Sequence, residues 1–233
     1  MTNNNSNRSG IKKTVNHLEE IRGGYDLSFD YEIENAGIEN VSVKLAAGNL
    51  KIMQGIGEKF HVGISGHSRS SNFTVKIKGN TLEIATEDEN FKFGIIQFKT
   101  NIQIAIFVPN DFFGLYRAKV GAGNLISQVD MQYLDAKIGA GNVEISNTTL
   151  GETRLSTGAG GVKITTHDIC GNISAKIGAG HVEMYVPNDV DCRFEGSSSF
   201  IVSWRANVRG NPDSENIFKA SLGTGSVKIM PIQ

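Results

Sequence analysis

The chain is poor in cysteine, proline and tryptophan, with two, four and one in 233 residues. Two cysteines, Cys170 and Cys192, are too few for a disulfide scaffold and lie in no Cys-x-x-Cys or Cys/His cluster of the kind that binds zinc. Both are expected to be free buried thiols, although their spacing of about one repeat would also bring them within disulfide reach. Nowhere are there the roughly 18 uninterrupted apolar residues that a membrane-spanning helix needs. The polar opening MTNNNSNRSG lacks the apolar run of a secretory signal, so a soluble, unexported, cytoplasmic protein is expected. No excess charge of one sign exists either: 23 Lys and Arg stand against 24 Asp and Glu, so bulk basicity does not point to nucleic acid and any basic site must be local.

What the chain does have is glycine, 27 residues of it, beside 39% hydrophobic and 20% charged residues. That balance supports a single globular core. The glycines recur within one phrase: VKLAAGNLKI, AKVGAGNLIS, AKIGAGNVEI, LSTGAGGVKI, AKIGAGHVEM and ASLGTGSVKI. The second glycine of each, or its equivalent, falls at Gly48, Gly123, Gly141, Gly160, Gly180 and Gly225, with a central period of 18 to 20 residues. Before this marker, Val120, Ala118 and Tyr116, or Ile138, Ala136 and Leu134, alternate as in a strand. After it, pairs such as Val143 and Ile145 or Val182 and Met184 resume the alternation. Each unit therefore reads as strand, glycine corner, strand, bend, with Met131, Leu150 and Cys170 as a further inward column. Such a unit buries its apolar face only by stacking on its neighbours. The expected fold is all-β: a single-domain parallel β-helix or β-solenoid over residues 23–233, with coils of about 18–20 residues and some antiparallel hairpin additions.

Less regular stretches interrupt the repeat. NFTVKIKGNTLEIA alternates on both sides of Gly79-Asn80, a hairpin signal. VPND occurs at Val108 to Asp111 and again at Val186 to Asp189, which suggests a duplicated bend. Residues 196–216 read as an insertion, a strand pair with an exposed loop near Gly210 to Glu215. Residues 1–22 form a polar extension. Its first ten residues are expected to be disordered, and Ile11, Val15, Leu18 and Ile21 have the spacing of a short helix.

The five G-x-G turns are followed by strands and lack the third glycine and helix of a dinucleotide site, so they read as architecture and no cofactor is expected. The residue after each marker is Asn124, Asn142, Gly161, His181 or Ser226, not the recurrent Asp of a calcium roll; the asparagines are expected to satisfy corner backbone groups. The histidines form no metal pair, and no nucleophile-base signature or clustered carboxylate pair accompanies them, so no catalytic residue is assigned and an enzyme is not expected. Outward columns Glu144, Lys163, Glu183 and Arg117, Asp135, Arg154 alternate in sign and are expected to pin register. Arg117, Lys119, Lys137, Arg154, Lys176 and Lys219 also give one sheet a basic bias able to hold an acidic polymer, and Trp204 beside Arg205 is a candidate sugar platform.

The AKIGAGNVEI and LSTGAGGVKI units, with the FVPND and YVPND bends, resemble a widespread bacterial family of candidate adhesins, β-helical domains of unknown function, over residues 40–233. The resemblance implies a non-enzymatic binding protein of the cell surface or envelope, with a protein or glycan partner and no binding residues to carry over. An intracellular scaffold or envelope-stress module, docked through its N-terminal arm or an end strand, is the second expectation; a carbohydrate-active enzyme is a third. Exposed solenoid ends would also allow a homo-oligomer.

Overall fold

The computed structural model describes residues 10–21, 24–68, 72–86, 101–196 and 202–232. These residues are all-β, with sixteen strands in one connected, mixed parallel and antiparallel sheet. The N-terminal strands are β1 (Ile11–Ile21), β2 (Gly24–Ile33), β3 (Asn40–Ala47), β4 (Asn49–Gln54) and β5 (Phe60–Ser68). A hairpin, β6 (Phe73–Lys78) and β7 (Thr81–Thr86), precedes β8 (Asn101–Val108), β9 (Leu115–Ala122), β10 (Leu125–Gln128) and β11 (Met131–Ala140). Three long strands dominate the rest: β12 (Val143–Ile169), β13 (Ile173–Val186) and β16 (Ile217–Pro231), with β14 (Arg193–Gly196) and β15 (Val202–Ala206) between the last two.

The repeats pair in register with one another. Upstream of the glycine corner β7, β3, β9, β11, β12, β13 and β16 run side by side and parallel. This aligns Val43, Ala118, Ala136, Leu155, Ala175 and Ala220 across the ladder. Beyond the corner, β8, β4, β10 and β12 form a second parallel run, and the distal halves of β12, β13 and β16 continue side by side to β15. The inward residues of both runs, among them Leu50, Leu125, Val143, Val162 and Val182, are buried in one core.

The corner explains the glycines. All six markers have φ between 133° and 151°, a region that side chains other than hydrogen rarely enter. A Cβ on Gly123, Gly141, Gly160, Gly180 or Gly225 would lie within 1.8 Å of the carbonyl oxygen of the preceding marker. Consecutive corners thus stack backbone on backbone. The asparagines beside them cross-link the stack: Asn124 N donates to Asn49 Oδ1 at 3.0 Å, Asn142 N to Asn124 Oδ1 at 3.0 Å, and Gly161 N to Asn142 Oδ1 at 2.8 Å. The two VPND segments make the same turn, with Phe112 N donating to Pro109 O at 3.1 Å and Val190 N to Pro187 O at 3.3 Å.

Among the described residues, antiparallel pairing is confined to the N-terminal end. The hairpin at Gly79-Asn80 joins β6 to β7, as expected, and β1, β2, β5 and β8 form an antiparallel block on the second run. The short helix expected over Ile11 to Ile21 is instead β1. A bulge between Val15 and His17 shifts the strand's alternation by one residue, so Val15 and Leu18, three apart, lie on the same side opposite Phe29 and Leu27. A bulged strand has thereby acquired the spacing of a helix. The disorder expected for residues 1–10 lies outside the described residues except at Gly10, as does part of the strand pair expected in 196–216. Cysteine needs a second correction. Both thiols are free, but Cys170 is exposed, and Ile169 takes the inward place beside Leu150.

Candidate binding face

Four residues before each marker, the outward side of the first run carries Lys44, Lys119, Lys137, Ser156, Lys176 and Ser221, paired in that order across adjacent strands. All six are exposed. Neighbouring strands lie about 4.8 Å apart, so three lysines in a row project from adjacent strands at that backbone spacing. Among the described residues Lys44, Lys119 and Lys176 make no ion pair, and Lys137 reaches only Asp135, at 3.9 Å.

Two residues upstream, the parallel column reads Ser42, Arg117, Asp135, Arg154, Ser174, Lys219 and Glu195. Arg154 does not settle on Asp135 across the strand. Its guanidinium bonds Glu152 Oε1 at 2.6 Å on its own strand and lies 5.7 Å from the Tyr133 ring. The hydrogen bond to Glu152, with the Glu152 carboxylate beside it, strengthens its hold on its proton.

The other sheet face makes the contrast. Beyond the corner, Glu144, Lys163, Glu183 and Lys228 alternate in sign, with Lys163 3.4 Å from Glu144 and Lys228 3.3 Å from Glu183. That column pins register, as opposite charges on adjacent strands do. Like charges in register oppose pairing instead. The lysine column therefore costs the fold something, and such local conflicts concentrate where a surface is used.

The lysines also border a groove of about 600 Å³ along the upstream rim of the corner, where Lys44, Lys119, Lys137, Thr86 and Ser156 surround a floor that includes Gly121 and Gly139. A larger depression of about 810 Å³ lies among Glu34, Ile56, Glu58, Lys59, His61 and Asp111. There the lysine is already neutralised, since Lys59 Nζ lies 2.8 Å from both Glu32 and Glu34.

Of the residues singled out in the sequence, the structure thus gathers Arg117, Lys119, Lys137, Arg154, Lys176 and Lys219 on one face. It sets Trp204 and Arg205 apart, on β15, which pairs with the distal half of β16. Trp204 packs against the core, 6.3 Å from Phe218, over Gly196. Arg205 points to solvent opposite Lys228. Lys44 was overlooked in the sequence although it occupies the same offset before Gly48 as Lys119 does before Gly123. Among the described residues no three His, Cys, Asp or Glu side chains gather where a metal ion could bind.

No family model and no curated protein matches the chain. Among solved structures, a candidate cell adhesion protein from Clostridium sporogenes is similar with a TM-score of 0.53 at 14% identity, over 89% of this chain and 100% of that one. A candidate adhesin from Bacteroides fragilis aligns at a TM-score of 0.34 and 16% identity, over 88% and 97% of the two chains. A candidate lipid-binding protein from Parabacteroides distasonis aligns at 0.27 and 14%, over 86% and 96%. The first of these shares the all-β fold.

Proposed function

We propose that this chain is a non-enzymatic binding domain that holds an acidic polysaccharide along its lysine column. The carrying observation is that Lys44, Lys119 and Lys137 stand in register, exposed and almost without counter-charge, beside a groove. A polymer with one carboxylate on each sugar ring repeats at close to the strand spacing, so successive anions meet successive lysines. Ser156, Ser221 and Thr86 add neutral hydroxyl partners for sugar oxygens along the same line.

The framework suited to such a task is a solenoid, in which each 18- to 20-residue unit is one coil and the lysines repeat with it. The parallel register on both sides of the corner supports that reading. Holding, not cleavage, is the role assigned. Of the carboxylates beside the column, Glu152 is bonded by Arg154 at 2.6 Å and Asp135 lies 3.9 Å from Lys137, so they do not form the facing pair that glycoside cleavage uses. An acidic glycan is a ligand of the cell envelope, which also fits the adhesion name of the Clostridium sporogenes structure.

The test is calorimetric binding of polygalacturonate, with neutral dextran as the control polymer. Binding is expected to weaken steeply with added salt and to fall on the order of tenfold in a K44Q/K119Q/K137Q variant, while K163Q on the opposite-signed column leaves it unchanged. Equal affinity of the triple variant and the parent chain would overturn the proposal, as would release of shortened polymer during the titration.

A further inference from the structure

At the far edge of the antiparallel block, β1 offers eleven residues whose only strand partner among the described residues is β2. Every residue of β1 after Ile11 is exposed, and Val15 and Leu18 remain 53% and 50% exposed. These two lie on the side of the strand that faces the core in β2, where Leu27, Phe29 and Tyr31 are buried. The core side of the sheet therefore runs on past the core, with apolar side chains and an unpaired backbone edge. Folded proteins seldom leave such an edge open.

We infer that β1 is the dimerisation strand, pairing antiparallel with β1 of a second copy about a two-fold axis between Asn16 and His17. The sequence of the strand, IKKTVNHLEEI, is self-complementary in that arrangement: its basic end, Lys12 and Lys13, meets the acidic end of the other copy, Glu19 and Glu20. The bulge selects the register. In an antiparallel pair, facing residues must share a side of the sheet. Because the alternation slips by one at Asn16, the side carrying Ile11, Lys13 and Val15 before the bulge carries Leu18 and Glu20 after it. Pairing across the axis then sets Val15 against Leu18 of the second copy and Lys13 against its Glu20.

By symmetry each contact occurs twice. Two Val-Leu pairs make a central apolar patch that continues the Leu27 and Phe29 side, closed at each end by a Lys-Glu pair. Lys13 is already held over that side, its Nζ 4.3 Å from the centre of the Phe29 ring. On the opposite side His17 is drawn toward Asp26, 3.5 Å away, and Glu19, 3.8 Å away, which keeps it clear of the apolar pairs. The contact is of the isologous kind that closes after two subunits and covers the β1 edge of both. It lies on the second run's antiparallel block, apart from the lysine column on β3, β9 and β11, so it is independent of the polysaccharide reading. One strand pair is a small interface, so the dimer is expected to be reversible and concentration-dependent.

Sedimentation velocity of the full chain over a concentration series tests this. A monomer–dimer equilibrium is expected, weakened on the order of tenfold or more by either K13E or E20K, each of which places like charges opposite one another. The double variant K13E/E20K restores complementarity between copies and should return the dimer. Circular dichroism of each variant separates loss of pairing from loss of fold. Glu20 is exposed and lies opposite Tyr25, away from Phe29, so E20K remains informative if K13E perturbs the Phe29 contact. A chain that stays monomeric at every concentration overturns the inference. So does a dimer that the single reversals leave intact, which would assign the contact to another edge.

Discussion

The carbonyl oxygen of Gly141 stands 1.8 Å from the point where a Cβ on Gly160 would be, one repeat further along the chain. Nothing but hydrogen fits between these two corners, and the φ of Gly160, 140°, independently disfavours a side chain. Gly160→Ala must push two stacked backbones apart, at a cost of about 3 kcal/mol or more. For a domain of this size that lowers the melting temperature by roughly 10 °C. Gly79 makes the control. Its φ is also positive, at 60°, but nothing lies within 4 Å of a Cβ there, so Gly79→Ala should cost only about 1 kcal/mol. Thermal melts followed by circular dichroism compare the two, and equal shifts would contradict the stacked-corner account.

The two thiols should behave differently toward an alkylating reagent. Cys192 is fully buried, and burial pushes its pKa up to about 11; Cys170 is exposed, its thiol raised less, by partial burial and then by the nearby Asp168 carboxylate. Only thiolate reacts, and only where reagent can reach it. Iodoacetamide at neutral pH should therefore modify Cys170 first, more slowly than a free cysteine, and Cys192 only as the core opens. Peptide mass spectrometry of a time course reads both sites. Parallel labelling of the two would show that the core around Cys192 is open.

Much of this architecture could be read from residues alone, and the reasons are local. Corner and strand show because sterically required glycines recur and alternation resumes on each side, as from Ala136 and Ile138 through Gly141 to Val143 and Ile145. The VPND turn shows because it occurs twice. What stayed hidden depends on pairing between distant segments that share no motif: β2 against β5, or β5 against β8, leaves no repeat in the sequence. The N-terminal strand was misread because a single bulge residue, Asn16, converts alternation into helical spacing. Cys170 was misread because the inward column shifts by one residue to Ile169 at the bend. At the candidate site, charge and offset pointed to Lys119, Lys137 and Lys176. Whether Arg154 would join a ladder or fold onto Glu152 on its own strand was a matter of side-chain geometry, which spacing does not carry.

Alkaline pH should expose an unsatisfied polar group of the core. Tyr116 is almost fully buried, in edge-on contact with Phe112, and its hydroxyl has no hydrogen-bond partner among the described residues. Burial raises the pKa of Tyr31 to about 12 and drives that of Tyr116 higher still. Since the folded state keeps these protons more tightly than the unfolded chain, whose tyrosines titrate near 10, their contribution is intact below pH 10. Above it the unfolded state releases protons that the folded state retains, so stability falls with rising pH by about 1.4 kcal/mol per unit for each such group, until the folded-state value is reached. Tyr116→Phe removes both the titration and an unsatisfied buried hydroxyl. It should leave the fold as stable at neutral pH or more so, by about 1 kcal/mol, and lose less stability than the parent chain between about pH 10 and 12. Urea midpoints at several pH values across that window measure the difference. Parallel declines in the two proteins would mean that the Tyr116 hydroxyl reaches solvent or a partner, and that the core is not closed around it.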